Sequence, residues 1–253
     1  MVGEEAPEGG DVAVETIDLG DGRRARLVYA AGETPVEEVK RALRIGRHRG
    51  ILVLNGGTDE GRGGLDAHLH QLLVDGVAAA VNAERLCAVT GGTAAGVFAS
   101  FGAGLDRSAV CVGVAPSACV TWPGRSASAP DAVPLEPHHS HFVLVHGSEW
   151  GDETPMMMEL TRTLAGGARS VAVLAGGGRV AQRELLGHVR AGREVIVLGG
   201  SGRLADAVAT AIAGGGGSEE EVLEAAEVGR VTVFDVGRGA AELRELLASR
   251  FRG

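Results

Sequence analysis

Aromatic side chains are scarce, making up 3% of 253 residues, with two Trp, one Tyr and five Phe. That poverty argues against the stacking platforms of proteins that hold single-stranded nucleic acid. Positive charge is also in deficit. The formal net charge of −9 opposes a broad nucleic-acid footprint, but backbone dipoles act at short range and leave a local anion site open. Cysteine is limited to Cys87, Cys111 and Cys119, without C-x-x-C spacing, which reads as small core residues in a reduced compartment. The start of the chain is acidic and has no apolar core, so no signal peptide is expected. The uncharged stretch 86–105 contains five glycines and a Thr-Gly-Gly-Thr turn, so no direct membrane insertion is expected either. The resulting expectation is a cytoplasmic protein. Neither G-x-G-x-x-G nor G-x-x-x-x-G-K-[ST] occurs, which removes the ordinary dehydrogenase and P-loop readings.

What the chain does have is 41 glycines, gathered in discrete turns. Residues 1–10 read as a disordered acidic tail and 11–253 as a single domain. Runs 12–17 and 25–29, joined through Leu19-Gly20-Asp21-Gly22, predict an N-terminal hairpin. Thr34-Pro35-Val36-Glu37 predicts a capped helix through Leu43. Short Val-, Ile- and Leu-rich runs then alternate with helical patterns, at 51–54, 86–89, 109–114, 142–145, 171–174, 195–198 and 231–234. Continuous apolar strands are buried on both faces. The pattern predicts an α/β fold with a mostly parallel sheet of about seven strands and helices on both faces. The proline-bearing stretch 126–137 is the candidate mobile loop or lid.

Four of those runs end in glycine clusters that open helices: Asn55-Gly56-Gly57-Thr58, Thr90-Gly91-Gly92-Thr93, Gly176-Gly177-Gly178 and Gly199-Gly200-Ser201-Gly202. Such turns aim backbone N–H groups and a helix's positive end at an anion. One alone is commonplace, because strand-to-helix turns use glycine for backbone reasons. Four at one sheet edge would build a nucleotide cradle. His138, His139 and His141 invite a metal reading, but no third ligand with fitting spacing is evident, and loop capping or a ligand contact are the alternatives. Met156, Met157 and Met158 read as core filler, and Glu159 as a residue that could face the pocket. Ser148, Ser201 and Cys111 lack the G-x-S-x-G elbow or a forced His partner, so no catalytic residue is assigned.

The series Thr90-Gly91-Gly92-Thr93-Ala94-Ala95-Gly96-Val97, Val112-Gly113-Val114-Ala115-Pro116, His139-Ser140-His141-Phe142-Val143-Leu144-Val145 and Gly199-Gly200-Ser201-Gly202-Arg203-Leu204-Ala205-Asp206 has a family look. It resembles the SLOG-type (LSDAT) region of melastatin-type TRP channels and its free-standing prokaryotic relatives, over roughly residues 48–213. The resemblance implies a Rossmann-like fold and a sensor for ADP-ribose-type nucleotides. The related phosphoribohydrolases are similar to a pattern P-G-G-x-G-T-x-x-E. Against it, Ala175-Gly176-Gly177-Gly178 keeps two glycines, but Arg179, Val180 and Arg183 replace the third glycine, the threonine and the acid. Glu184 comes one residue late, about 100° round a helix.

Role by role, Gly91, Gly92, Thr93, Ala94 and Gly96 form one candidate cradle and Gly199, Gly200, Ser201 and Gly202 a second. Arg203 is either the phosphate's charged partner or an exposed first-turn residue. Asp206 either takes a ribose hydroxyl or merely suits a helix start. Gly176, Gly177, Gly178 and Arg179 form a third cradle, and Gly57 with Thr58 a fourth. Glu149 and Trp150 follow a strand end, where Trp150 would stack on a base or pack its loop. The reading is a nucleotide sensor with ADP-ribose, NAD or a related nucleotide as ligand and no required cofactor or metal. It is expected as a homo-oligomer that signals to an effector protein. The alternative is a nucleoside 5′-monophosphate phosphoribohydrolase or nucleotide hydrolase.

Overall fold

The computed structural model describes residues 12–31, 33–57, 67–127, 129–215, 219–228 and 230–252. The expected tail 1–10 and Thr58 lie outside the described residues. β1 (Ala13–Gly20) and β2 (Arg23–Ala30) pair antiparallel across Asp21-Gly22. Both turn residues have positive φ, +51° and +67°, as a tight two-residue hairpin turn requires. α1 (Val36–Leu43) starts one residue later than the capping pattern predicts, with Pro35 as its cap and no side-chain cap bond.

The main body follows as β3 (Ile51–Gly56), then α2 (Ala67–Gln71), a π-wound turn (Leu72–Ala78) and α3 (Ala79–Glu84). Next come β4 (Cys87–Thr90), α4 (Gly96–Ala103), β5 (Val110–Pro116), the short pair β6 (Val120–Thr121) and β7 (Val133–Pro134), and β8 (His141–Val145). The chain continues through α5 (Thr154–Ala165), β9 (Ser170–Ala175), α6 (Arg179–Arg190), β10 (Glu194–Gly199) and α7 (Arg203–Ile212). It ends with α8 (Glu220–Val228), β11 (Val231–Asp235), a 3-10 turn (Val236–Arg238) and α9 (Ala240–Phe251).

Among the described residues the main sheet has nine strands, in the order β1-β2-β8-β5-β4-β3-β9-β10-β11. All but β1 run parallel. The seven strands expected from the apolar runs are β3, β4, β5, β8, β9, β10 and β11. The count rises because β2 docks parallel on β8, for example Val28 beside Val143, and carries β1 with it. A hairpin's sequence pattern does not reveal whether its outer edge will be used.

Alternate residues of β3 divide the core. Ile51 and Val53 pack with α1, α5, α6, α7 and α8 on one face. Leu52 and Leu54 pack with the π-wound turn, α3, α4 and α9 on the other. Each fully buried Leu or Phe in these layers contributes about 1.5–3 kcal/mol. The stretch 126–137 is not a free lid throughout. Val133–Pro134 pairs with Val120–Thr121, and Leu135 joins a third cluster with Trp122 and Phe142. Among the described residues no helix is long and apolar enough to cross a membrane.

Candidate functional site

The winding of the sheet selects one crevice. From β3 the chain runs outward through β4, β5 and β8, then returns to β9 on β3's other side and continues to β10 and β11. That reversal between β3 and β9 is the position where open α/β sheets hold ligands, beyond the strands' carboxyl ends. Because the strands are parallel, all four glycine corners fall on this same rim.

Three corners interlock there. The Gly57 amide donates to Ala175 O at 3.2 Å, and Gly57 O accepts from Val97 N, the second residue of α4, at 3.2 Å. A Cβ on Gly57 would come 3.3 Å from Gly177 N. Ser201 Oγ accepts from Gly176 N at 2.8 Å and donates to Leu198 O, tying the corner after β9 to that after β10. Ala205 N, in the first turn of α7, donates to Gly176 O at 3.0 Å. Arg203 comes within 3.3 Å of where a Gly178 Cβ would sit and has φ +51°, a conformation non-glycine residues adopt rarely and often at functional sites.

Donors are left over at this rim. The amides of Gly177, Gly178 and Gly202 donate to no acceptor among the described residues. α4, α6 and α7 all start there without a side-chain cap. At α4 and α7 backbone carbonyls already take first-turn amides, Val97 N donating to Gly57 O, and Leu204 N and Ala205 N to Gly177 O and Gly176 O. Among the described residues the start of α6 keeps its first-turn amides open, and these with the helix dipole attract an anion. Arg179 opens α6 and Gly199 closes β10 beside these groups.

Other expected donors are already occupied. Asp206 Oδ1 accepts from Gly200 N at 2.6 Å, so this carboxylate holds its own corner. The Gly92 amide donates to Thr90 Oγ1 at 2.9 Å, and Ala94 N donates to Pro134 O at 2.8 Å. Gly92 has φ +72°, and a Cβ there would lie 2.7 Å from Gly113 Cα, so glycine is needed at this corner for packing between β4 and β5. Thr93 Oγ1 is buried without a hydrogen-bond partner among the described residues. Gly96, at φ +50°, starts α4, and Gly91 stacks against Phe98.

His138 and His139 are structural fixtures of that corner, whereas His141 Nδ1 meets Ser140 Oγ at 2.9 Å. Thr90 Oγ1 meets His139 Nε2 at 2.7 Å, and His139 Nδ1 meets Glu136 Oε2 at 2.7 Å. Glu136 also binds His138 through both its backbone and its ring. Burial pushes the Glu136 carboxyl up, but the hydrogen bonds and charges of His139 and His138 outweigh it and hold the group below its ordinary range. Burial, helped by the Arg26 charge, lowers the His141 imidazole to about 4.

Glu149 and Trp150 lie in the loop after β8, which leans on α6 where Gly151 packs against the Arg183 guanidinium. Asp152 Oδ2 braces the loop by accepting from Ser148 N and Glu149 N. Trp150 is among the exposed large apolar residues. Glu159 does not face the crevice. It pairs with Arg162 on the outer side of α5, because its helical phase differs from that of the buried Met157 and Leu160.

Sequence reading missed a buried polar chain beneath the crevice. Asn55 follows Val53 on the same face of β3 and so points at α6. Its Nδ2 donates to Glu184 Oε2 at 2.7 Å, and its Oδ1 meets His188 Nε2 at 2.8 Å. His188 Nδ1 in turn receives Arg193 Nη1. Burial, with the Glu153 charge adding to it, pushes Glu184 up to about 8, whereas burial and the Arg193 charge push His188 down to about 3. Burial raises Glu153 as well. The available signal was Glu184 and His188 at i, i+4 on a helix face otherwise made of Ala181, Leu185 and Val189.

Fold and crevice together define a Rossmann-like α/β domain whose strand ends present amide donors with no acceptor among the described residues. The chain belongs to the prokaryotic LSDAT family, described as SLOG in TRPM, prokaryote, whose model matches residues 49–244. Membership of SLOG brings a nucleotide-related binding or sensing role in general. No curated protein matches the chain.

Proposed function

We propose that the crevice beyond β3, β9 and β10 binds a phosphorylated nucleoside of the ADP-ribose or NAD type and acts as a sensor. The observation that supports this reading is the set of amides at Gly177, Gly178 and Gly202 that donate to no acceptor among the described residues, beside the start of α6, which has no side-chain cap, and the Arg203 side chain. A diphosphate matches such a row of donors. In this reading the ribose and base extend toward the loop at 146–153, where Trp150 offers a stacking face. Occupancy settles that loop and is passed to an effector protein or a second copy of the chain. The protein works as a cytoplasmic homo-oligomer without a required cofactor.

Calorimetry with ADP-ribose, NAD, cyclic ADP-ribose and AMP tests it. Binding is expected, and Arg203→Ala should weaken it about tenfold or more, the worth of one charged hydrogen bond. Absence of heat from all four at millimolar concentration would overturn the reading. A hydrolase is the second reading, favoured by the raised carboxyls Glu153 and Glu184 near the crevice. Release of free adenine from AMP by the parent but not by Glu184→Gln would install it instead.

A further inference from the structure

A cavity of about 930 Å³ lies at the opposite rim, by Ser170 at the start of β9 and Glu194 at the start of β10. None of the glycine corners lines it. Its walls carry five arginines and two glutamates. Arg162 pairs with Glu159, and Arg250 Nε faces Glu194 Oε1 at 2.6 Å, off the hydrogen-bond direction. Arg169, Arg193 and Arg230 have no carboxylate partner among the described residues, so the cavity keeps an excess of three positive charges.

Arg193 is the decisive group. It is only 7% exposed, and its guanidinium donates to two neutral partners, Ser170 Oγ at 3.0 Å and His188 Nδ1. A buried cation with no counter-charge is costly, and native structures normally supply an anion. Burial is also the cause that lowers its pKa. The cavity is within the size range of small-molecule sites, so an anion larger than chloride fits.

We propose that this cavity is a second anion site, one that takes the phosphate or pyrophosphate group of a small molecule on Arg169, Arg193 and Arg230. The site is independent of the nucleotide reading for the opposite rim. Its occupant would be felt there, because the donors all point one way: Arg193 to His188, His188 to Asn55, Asn55 to Glu184. Asn55 immediately precedes the Gly56-Gly57 corner.

The probe is inorganic pyrophosphate, titrated into the full chain carrying isotope-labelled histidine, with sodium chloride used to hold ionic strength constant. His188 ring nitrogens are expected to shift at millimolar pyrophosphate or below. The double variant Arg169→Gln, Arg230→Gln alters two exposed side chains, so it should fold, and it should weaken the response roughly tenfold or more. Arg203→Gln, at the crevice, should leave the His188 response intact. The proposal is overturned if the parent shows no His188 shift. It is equally overturned if the double variant responds as the parent does, or if Arg203→Gln abolishes the response. A shift with organic phosphates but not with pyrophosphate would place recognition in the organic part and also overturn it.

Discussion

Replacing Asn55 by Leu should destabilise the protein by roughly 2–5 kcal/mol, which would make it one of the most damaging single changes in the chain. The side chain is 2% exposed and is the middle link between Glu184 and His188. Its loss strands a carboxyl and an imidazole N–H in the core, and each unsatisfied group costs its own desolvation. Leu has the same number and branching of side-chain heavy atoms, so no cavity opens and lost packing is not the cause. The urea midpoint should fall with little change in slope. A loss below about 1 kcal/mol would show that Asn55 is not the connecting group.

The second large effect depends on pH. Glu184 holds its proton to about 8 in the folded protein, against 4.5 ordinarily. Folding therefore retains a proton that the unfolded chain releases, and stability drops as pH rises through that window, at up to about 1.4 kcal/mol per unit. His188 acts in the opposite sense. Its folded value near 3, against 6.5 ordinarily, means that its contribution is present above 6.5 and disappears as pH falls toward 3. The two slopes oppose each other between 4.5 and 6.5, so this chain of groups is most favourable there. Glu184→Gln keeps an oxygen for the Asn55 amide and removes the acid. The variant should match the parent near pH 4.5 and exceed it by a few kcal/mol at pH 8, read from thermal or urea unfolding across pH. Parallel pH profiles for the two proteins would refute the assignment.

Much of the fold was legible because it rests on short-range rules. Runs such as 171–174 and 195–198 are apolar at every position, and a strand buried on both faces needs that. Glycines after the runs mark where backbone must turn tightly or approach closely, as Gly92 does against Gly113. The candidate site was legible at the level of these corners. Which amides have partners was not, because that depends on groups beyond each corner, some far along the chain: Ser201 for Gly176 and Ala175 for Gly57, and Asp206 in the next helix for Gly200.

By itself, then, the sequence determined the layering, the parallel sense of the core strands, the glycine corners and the family they resemble. All of these follow from periodicity and local backbone freedom. The tertiary structure alone decided that the hairpin extends the sheet, that Glu136 and two histidines, His138 and His139, brace one corner, and that Asn55 joins Glu184 to His188. Only the structure shows the arginine cavity at the far rim. These depend on meetings such as Thr90 with His139, 49 positions apart, and Asn55 with His188, 133 apart, which are settled by packing and by the need to satisfy buried polar groups.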